Sequence, residues 1–580
     1  MGVKLAETAG FCMGVRRAVD RVLDAARQGP GPIYTYGPLI HNPQTVELLK
    51  KRGIMPVDSL AEIPACSDAT LIIRTHGISP EERRQIKAKG VRIIDATCPR
   101  VGRVQAIIKK YAARGYQMII VGDKGHPEVT GLLGYAAGRG AVVGTREEAE
   151  ALPYTDKLGI VAQTTQDIDI YADLISIIKR KMPHALVFTT ICDSTEKRQR
   201  EVKNLAAQTD AMVIVGGRDS ANTRRLAEIA EHQGKPTFYI ETADELKNHP
   251  WGSYDRIGVS AGASTPNWII DRVVNDITGL RAQGGGKSRS LFKLWLFLIR
   301  TDIYSALGAG CLYMAAALMQ GKVLRGDNFL MASLYVYAMH ILNRLTGHKT
   351  NVLGSIREVT YHRRETFYIC LAVAALLIAL VLAFFQGMSA LLLLLFLSLA
   401  GVLYNARLLP SHWHFQSLKE LPGSKNVSMA LAWATVTSIL PAVGPGFKLY
   451  AATVAAFAFN FVMVFIRSIL SDILDMQNDR LMGRETIPVV IGREASLRML
   501  RFIWVLLVVL LAAAFPAGWA TSVSWALIIC PIYVLICSKL YDRRAAFSLS
   551  GMELWGLLET NYIIAGVVAL LWLACARAAA

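Results

Sequence analysis

The chain has 580 residues, enough for several domains, with 53% hydrophobic residues and a formal net charge of +18. That charge does not argue for nucleic acid as a partner, because much of the basic excess falls in loops between long apolar runs. Nine cysteines, an odd number at scattered spacings, argue against a disulfide framework and for reduced thiols. The opening MGVKLAETAGF has no continuous apolar stretch of the kind a signal peptide needs, and Ala6 stands where an N-myristoylation signal wants Ser or Thr.

Residues 1–283 have dispersed charge and alternate short apolar runs with amphipathic helices, which predicts a soluble α/β unit with parallel sheets. Three strand–loop–helix segments carry a cysteine in the loop and a basic helix behind it: VKLAETAGFCMGVRRAV, VRIIDATCPRVGRVQAII and ALVFTTICDSTEKRQREV. They lie roughly 90 residues apart, about one structural repeat each. Cys12, Cys98 and Cys192 can therefore hold three corners of a cuboidal iron–sulfur cluster and leave the fourth iron open to a substrate. Structural zinc or inert buried thiols are the alternatives; zinc sites usually show CxxC-like pairs, and none occurs here.

Six further strand–loop–helix units bring the count to nine, three per repeat. Their loops place His41, His76, His126 with Glu128, Thr164 with Thr165, Ser220 with Asn222, and Ser264 at the carboxyl ends of strands, where ligands gather in such sheets. Imidazoles, hydroxyls and an amide near helix N-termini suit a diphosphate, although for SANT or AGAST alone plain helix capping is the commoner role. Glu128 is the one carboxylate in a loop of otherwise neutral and basic groups, a candidate proton donor. A metal centre that delivers electrons beside an acid that delivers protons points to reductive dehydroxylation of a diphosphate ester.

RAQGGGKSRS (281–290) reads as a Gly-rich joint, with the linker proper at 284–290 and a second domain at 291–580. Nine apolar runs follow: 302–320, 328–346, 367–386, 388–404, 427–443, 448–469, 499–515, 523–539 and 556–575. Their lengths predict nine transmembrane helices. Lys and Arg crowd the loops after even-numbered runs, which places those loops and the first domain in the cytosol. Cys311, Cys370, Cys530, Cys537 and Cys575 lie in or beside the runs as small hydrophobes, and Cys66 has no assigned role. After the sixth run, Asp472, Asp475 and Asp479 are spaced to share one helix face. Such a face binds Mg2+ ions that hold a diphosphate, or is an ordinary helix end with solvated acids.

The segments GFCMGVRRAV, IHNP, RTHG, DATCP, GHPEVTG, AQTT, TICDST, SANTRRL and AGASTP closely resemble the LytB-type 4-hydroxy-3-methylbut-2-enyl diphosphate reductase family across nearly all of residues 1–280. The resemblance implies an α/β trefoil of three pseudo-equivalent lobes around a 4Fe–4S cluster. It implies reduction of an allylic hydroxymethyl diphosphate to isopentenyl and dimethylallyl diphosphate, with electrons from a donor such as ferredoxin or flavodoxin. It places the cluster on Cys12, Cys98 and Cys192, the diphosphate on His41, His76, His126, Ser220, Asn222 and Ser264, and the catalytic acid on Glu128 with Thr165 in the proton path. Some relatives carry Ser where this chain has Ala221.

Residues 291–575 resemble the UbiA superfamily of intramembrane prenyltransferases, through the apolar runs, DILDMQND, and Tyr404 followed by LKELPGSKN with Lys419 and Lys425 as phosphate contacts. That family's first Asp-rich motif should follow the second run. Here the place reads NRLTGHKTN: Asn343 matches, while Arg344, Gly347 and Asn351 replace three carboxylates. Arg344 and Lys349 are candidates to replace an Mg2+ ion against phosphate; the other outcome is a module without chemistry. The expectation is a multi-pass protein of the inner (cytoplasmic) membrane that makes C5 diphosphates on its cytosolic side and handles a prenyl diphosphate, and a lipophilic acceptor, in the bilayer.

Overall fold

The computed structural model describes residues 2–28, 31–63, 68–249, 251–281, 287–345, 361, 364–404, 418, 421, 423–443, 448–482, 484–542 and 551–579. It divides into two compact units, Met1–Arg281 and Ala282–Ala580.

The first unit holds three four-stranded parallel sheets. One runs β3 (Ile54–Val57), β2 (Ile33–Tyr36), β4 (Thr70–Ile73), β5 (Arg92–Asp95). The next runs β7 (Gly140–Val143), β6 (Gln117–Val121), β8 (Leu158–Ala162), β9 (Leu186–Val187). The last runs β11 (Thr237–Ile240), β10 (Ala211–Val215), β12 (Arg256–Ala261), β1 (Gly2–Leu5). All three have one plan. An outer strand is followed by two central strands, and the opposite edge leads into a cysteine: β5 into Cys98, β9 into Cys192, β1 into Cys12. The third sheet takes its cysteine strand from the start of the chain, so the repeat is closed by pairing Leu5 with Val259.

Central strands such as Met212–Val215 are fully buried, which is why they read as unbroken apolar runs. The structure adds three strands to the nine expected, namely β3, β7 and β11. Each is a four-residue outer strand with solvent-facing positions, too short for its alternation to register.

In the second unit each of the nine apolar runs is helical among the described residues, but nine spans are not recovered. Among the described residues, five helices are long and apolar enough to cross a membrane: Glu365–Gln386, Ala451–Met482, Arg493–Ala514, Val523–Leu540 and Met552–Ala578. A sixth is counted if Leu294–Arg300 and Ile303–Met319, which meet at an 85° bend, make one span. The shortfall has local causes. Met388–Leu403 has 16 residues, about 24 Å at 1.5 Å per residue against a core of about 30 Å. Pro441 ends the run that begins at Ser424, which passes through a π-turn and a 3-10 turn. Gly326–Leu345 carries Asp327, Asn328, His340, Asn343 and Arg344.

Leu377, Val381, Phe384 and Phe385 point outward from Glu365–Gln386, a surface suited to lipid. Small buried residues, Ala309, Ala316, Ala565 and Ala569, let Ile303–Met319 and Gly551–Ala579 pack closely. Residues 287–290, expected in the joint, begin the helix Lys287–Arg300.

Candidate active site

Cys12, Cys98 and Cys192 are placed by the same local geometry three times. Each N–H donates to a carbonyl in the loop behind the neighbouring strand of its own sheet: Cys12 to Ala263 (3.1 Å), Cys98 to Thr75 (2.9 Å), Cys192 to Thr164 (3.0 Å). The carbonyl of each cysteine in turn accepts from the first turn of the helix that follows it, from the N–H groups of Arg16, Gly102 and Glu196, all at 3.0 Å. Cys98 and Cys192 occupy helix N-cap positions with nearly equal backbone angles. All three thiols therefore stand at the start of a helix, presented in the same way to the space between the loops.

Gly14 marks how closely two of them approach. A Cβ there would stand 2.7 Å from Cys98 Sγ and 3.9 Å from Cys12 Sγ. Burial raises the Cys98 thiol, while N–H groups of Arg100 and Val101 oppose that rise. Three equivalent thiols lining one cavity fit a multi-iron cluster better than separate redox roles.

One cavity of about 110 Å³ is lined by these cysteines together with His41, His76, His126, Glu128, Thr164, Thr165, Ser220, Asn222 and Ser264. All twelve residues expected at the site of the first unit thus share one space. The imidazoles lie with ring centroids 4.8, 5.3 and 6.0 Å apart. Burial lowers all three; His126 falls to about 4, and His76 lies well below the ordinary range, with His41 and His126 adding to the effect. His41 Nε2, His76 Nδ1 and Asn222 Nδ2 are buried without hydrogen-bond partners. Neutral, donor-capable and unsatisfied, they are arranged for an anion with several oxygens.

His126 caps the helix Pro127–Gly134 and accepts from the Glu128 N–H at 3.1 Å, which orients both side chains. Glu128 is 1% exposed. It accepts from the Thr164 N–H (2.7 Å) and hydroxyl (2.9 Å). Burial raises its pKa against those two bonds, so the protonated form persists to higher pH than in an ordinary glutamate. Ser264 Oγ donates to the His41 carbonyl at 3.0 Å, tying the third sheet's loop to the first's.

Gln163 and Arg225 were not anticipated. Gln163 Nε2 donates to Thr165 Oγ1 at 3.0 Å, and Arg225 donates to the Thr165 carbonyl at 2.8 Å and pairs with Asp123 at 2.7 Å. Both lie in segments that carry the family resemblance, AQTT and SANTRRL, but no role was assigned to either there.

In the second unit Asp472, Asp475 and Asp479 lie on Ala451–Met482. Asp472 is buried and accepts from Lys425 Nζ (2.8 Å) and Asn426 Nδ2 (2.7 Å). Asp479 is buried 3.6 Å from the Arg484 guanidinium, and its Oδ2 has no hydrogen-bond partner. Tyr404 and Ser424 hydroxyls meet at 3.0 Å. Asn343 is exposed in the last turn of Gly326–Leu345.

Arg344 is placed against a residue the sequence reading passed over. Its guanidinium pairs with the fully buried Asp302 at 2.7 and 3.0 Å, and Tyr361 donates to the same carboxylate at 2.9 Å. Arg467 and Glu559 form a second buried pair. Lone charges beside or inside apolar runs are the signal that would have found both pairs. Gly347, Lys349, Asn351, Lys419 and Cys66 lie outside the described residues.

The LytB protein family model matches residues 3–278, and the UbiA prenyltransferase family model matches residues 358–557. The 4-hydroxy-3-methylbut-2-enyl diphosphate reductase of Geotalea uraniireducens is 43% identical over 277 residues, which are 48% of this chain and 97% of that one. The structure of a reductase from Plasmodium falciparum aligns at 29% identity and TM-score 0.46, over 47% of this chain and 87% of that chain. A UbiA homolog from Aeropyrum pernix aligns at 14% identity and TM-score 0.35, over 47% and 98%.

Proposed function

Since the chain belongs to the LytB protein family through residues 3–278, we propose that its first unit reduces 4-hydroxy-3-methylbut-2-enyl diphosphate. The observation that carries this reading is the cavity in which three equivalent thiols, three neutral imidazoles and a buried acid converge. His41, His76, His126, Ser220, Asn222 and Ser264 bind the diphosphate, satisfying nitrogens that are otherwise orphaned. Cys12, Cys98 and Cys192 would hold a 4Fe–4S cluster, which supplies one electron at a time beside the bound hydroxymethyl group. Glu128 holds the proton that leaves with the hydroxyl as water, and the Thr164 donor pair fixes where that proton points. Two electrons and two protons turn the C–O bond into C–H and water, giving isopentenyl or dimethylallyl diphosphate. The electron donor is a small redox protein such as ferredoxin or flavodoxin.

The second unit is UbiA-like, with helices apolar enough to lie in a membrane; the basic loops after its even-numbered runs support a first unit on the cytosolic face of the inner membrane. Asp472, Asp475 and Asp479 with Lys425 would receive a prenyl diphosphate and Mg2+ for transfer to a lipophilic acceptor. The Arg344–Asp302 pair favours a second reading, a module that binds lipid without chemistry, because the arginine is already committed to a buried carboxylate.

The full chain, purified in detergent without air, tests both. Iron and sulfide in stoichiometric amounts with turnover under a reduced donor are expected. A protein that binds zinc and no iron, or binds iron without turning over the diphosphate, refutes the reductase reading. Mg2+-dependent prenyl transfer to extracted lipids separates the two readings of the membrane unit.

A further inference from the structure

The basic helices behind the three cysteines have no part in the site chemistry so far, yet each sends an arginine to the next cysteine loop. On Met13–Gln28, behind Cys12, Arg17 donates to the Thr97 carbonyl at 3.0 Å, one residue before Cys98. On Pro99–Ala112, behind Cys98, Arg100 pairs with the carboxylate of Asp193, one residue after Cys192. On Asp193–Gln208, behind Cys192, Arg198 donates to the carbonyls of Gly10 (2.6 Å), two residues before Cys12, and Ala261 (3.0 Å), two residues before the Ala263 that accepts from the Cys12 N–H. The order 12 to 98 to 192 and back to 12 closes a ring. Arg198 is 3% exposed, and its buried Nε has no hydrogen-bond partner. Gly10, at φ +109, turns its loop through a conformation that side chains rarely adopt.

We propose that Arg17, Arg100 and Arg198 are positioning residues, a closed ring of clamps, each from the helix behind one cysteine to the loop of the next, that holds the three thiol loops at cluster spacing before iron arrives. The inference rests on the reductase reading above for the identity of the metal group. The physical reason is that each cysteine ends a strand of one sheet and opens a helix that packs on the next, as Val202, Leu205 and Ala206 behind Cys192 pack with Met212 and Ile214 of the sheet that leads to Cys12, so the arginine fixes where that helix start stands against the next thiol loop. A guanidinium suits the task because its planar fork can grip two carbonyls at once, as Arg198 does, and it stays charged at any working pH. The clamps are unequal: Arg198 is buried, whereas Arg100 and Asp193 are solvent-exposed enough for screening to weaken them.

The test uses the full chain in detergent, reconstituted with iron and sulfide without air, and reads two quantities besides activity: the rate of iron loss to a chelator and the reduction midpoint by EPR-monitored titration. Arg198→Gln and Arg17→Gln should each lose iron about tenfold faster or more, since each removes a charge-assisted bond between one cysteine's helix and the next cysteine's loop. Arg198→Lys should keep the midpoint of the wild type, because it keeps the charge, and still lose iron fast, because it cannot fork. Arg200→Gln, whose partner Glu196 is on its own helix, should match the wild type. The iron-free chain is tested with arsenite, which needs close thiols: the wild type should retain arsenic(III), and the Arg198 and Arg17 variants should release it faster. Wild-type rates in both arms for Arg198→Gln and Arg17→Gln overturn the clamp. A wild-type chain that takes up no iron instead refutes the reductase reading, and the arsenic arm then judges the clamp alone.

Discussion

Replacing Gly14 by Ala should separate the fold of the first unit from its metal chemistry. Gly14 is the second residue of Met13–Gln28, so a methyl group there is favourable to the helix, by about 0.5–1 kcal/mol in propensity. The same methyl would lie 2.7 Å from Cys98 Sγ, where ordinary contacts begin at 3.4 Å. The sulfur must therefore retreat by roughly 0.7 Å or more, several times the ~0.2 Å tolerance of metal–ligand distances. In the iron-free chain the thiol can rotate away at little cost, whereas a thiolate fixed to a cluster cannot. Unfolding of the iron-free chain should thus be unchanged or slightly later. Iron affinity should drop by about 10–100-fold, the range seen when groups supporting a metal ligand are altered. Thermal melts of the apo-protein and iron titration under anaerobic reconstitution read the two effects separately. Full iron content with wild-type resistance to chelator would falsify the assignment of Cys12 and Cys98 to one metal group.

Glu128→Gln should keep cluster and ligand binding and reduce turnover about 100-fold or more, the usual contribution of a general acid; near-normal turnover would move the proton source elsewhere. Inorganic diphosphate should bind with uptake of protons. An anion beside imidazoles held low by burial lifts their pKa, so the complex binds more protons than the free chain and affinity grows as pH falls from 8 towards 6. Calorimetry in buffers of different ionisation heat measures this, and zero uptake contradicts it. Arg344→Asp, which superficially restores a family carboxylate, should destabilise the second unit by about 3–5 kcal/mol, because Asp302 loses its buried cation and gains a like charge; a more stable protein with new Mg2+ affinity would refute this. Asp472→Ala should abolish any prenyl transfer while leaving the reductase reaction intact, as the two units are separately compact.

The cysteine loops, the imidazoles and Glu128 were legible in the sequence because each sits at a strand end before a helix, and that punctuation is local. A buried parallel strand announces itself by an unbroken apolar run, and the polar residue that ends it is conspicuous. The short outer strands β3, β7 and β11 gave no such signal, since four residues at a sheet edge carry too little pattern. Apolar runs announced helices in the second unit but not which of them could span a bilayer, because Pro441 ended one run early and polar residues made Gly326–Leu345 less apolar.

Local pattern thus singled out the residues that come to line one cavity and carried the family resemblance of both halves. The tertiary structure alone decided what those groups touch. The Arg198 bond to Gly10 bridges 188 positions and the Arg344 bond to Asp302 bridges 42, separations at which no periodicity or cap links the partners. The same arginine reads as a phosphate ligand by its place in a motif and as a buried counter-ion by its place in space. Only packing settles which, since a buried carboxylate must find its cation wherever the folded chain brings one.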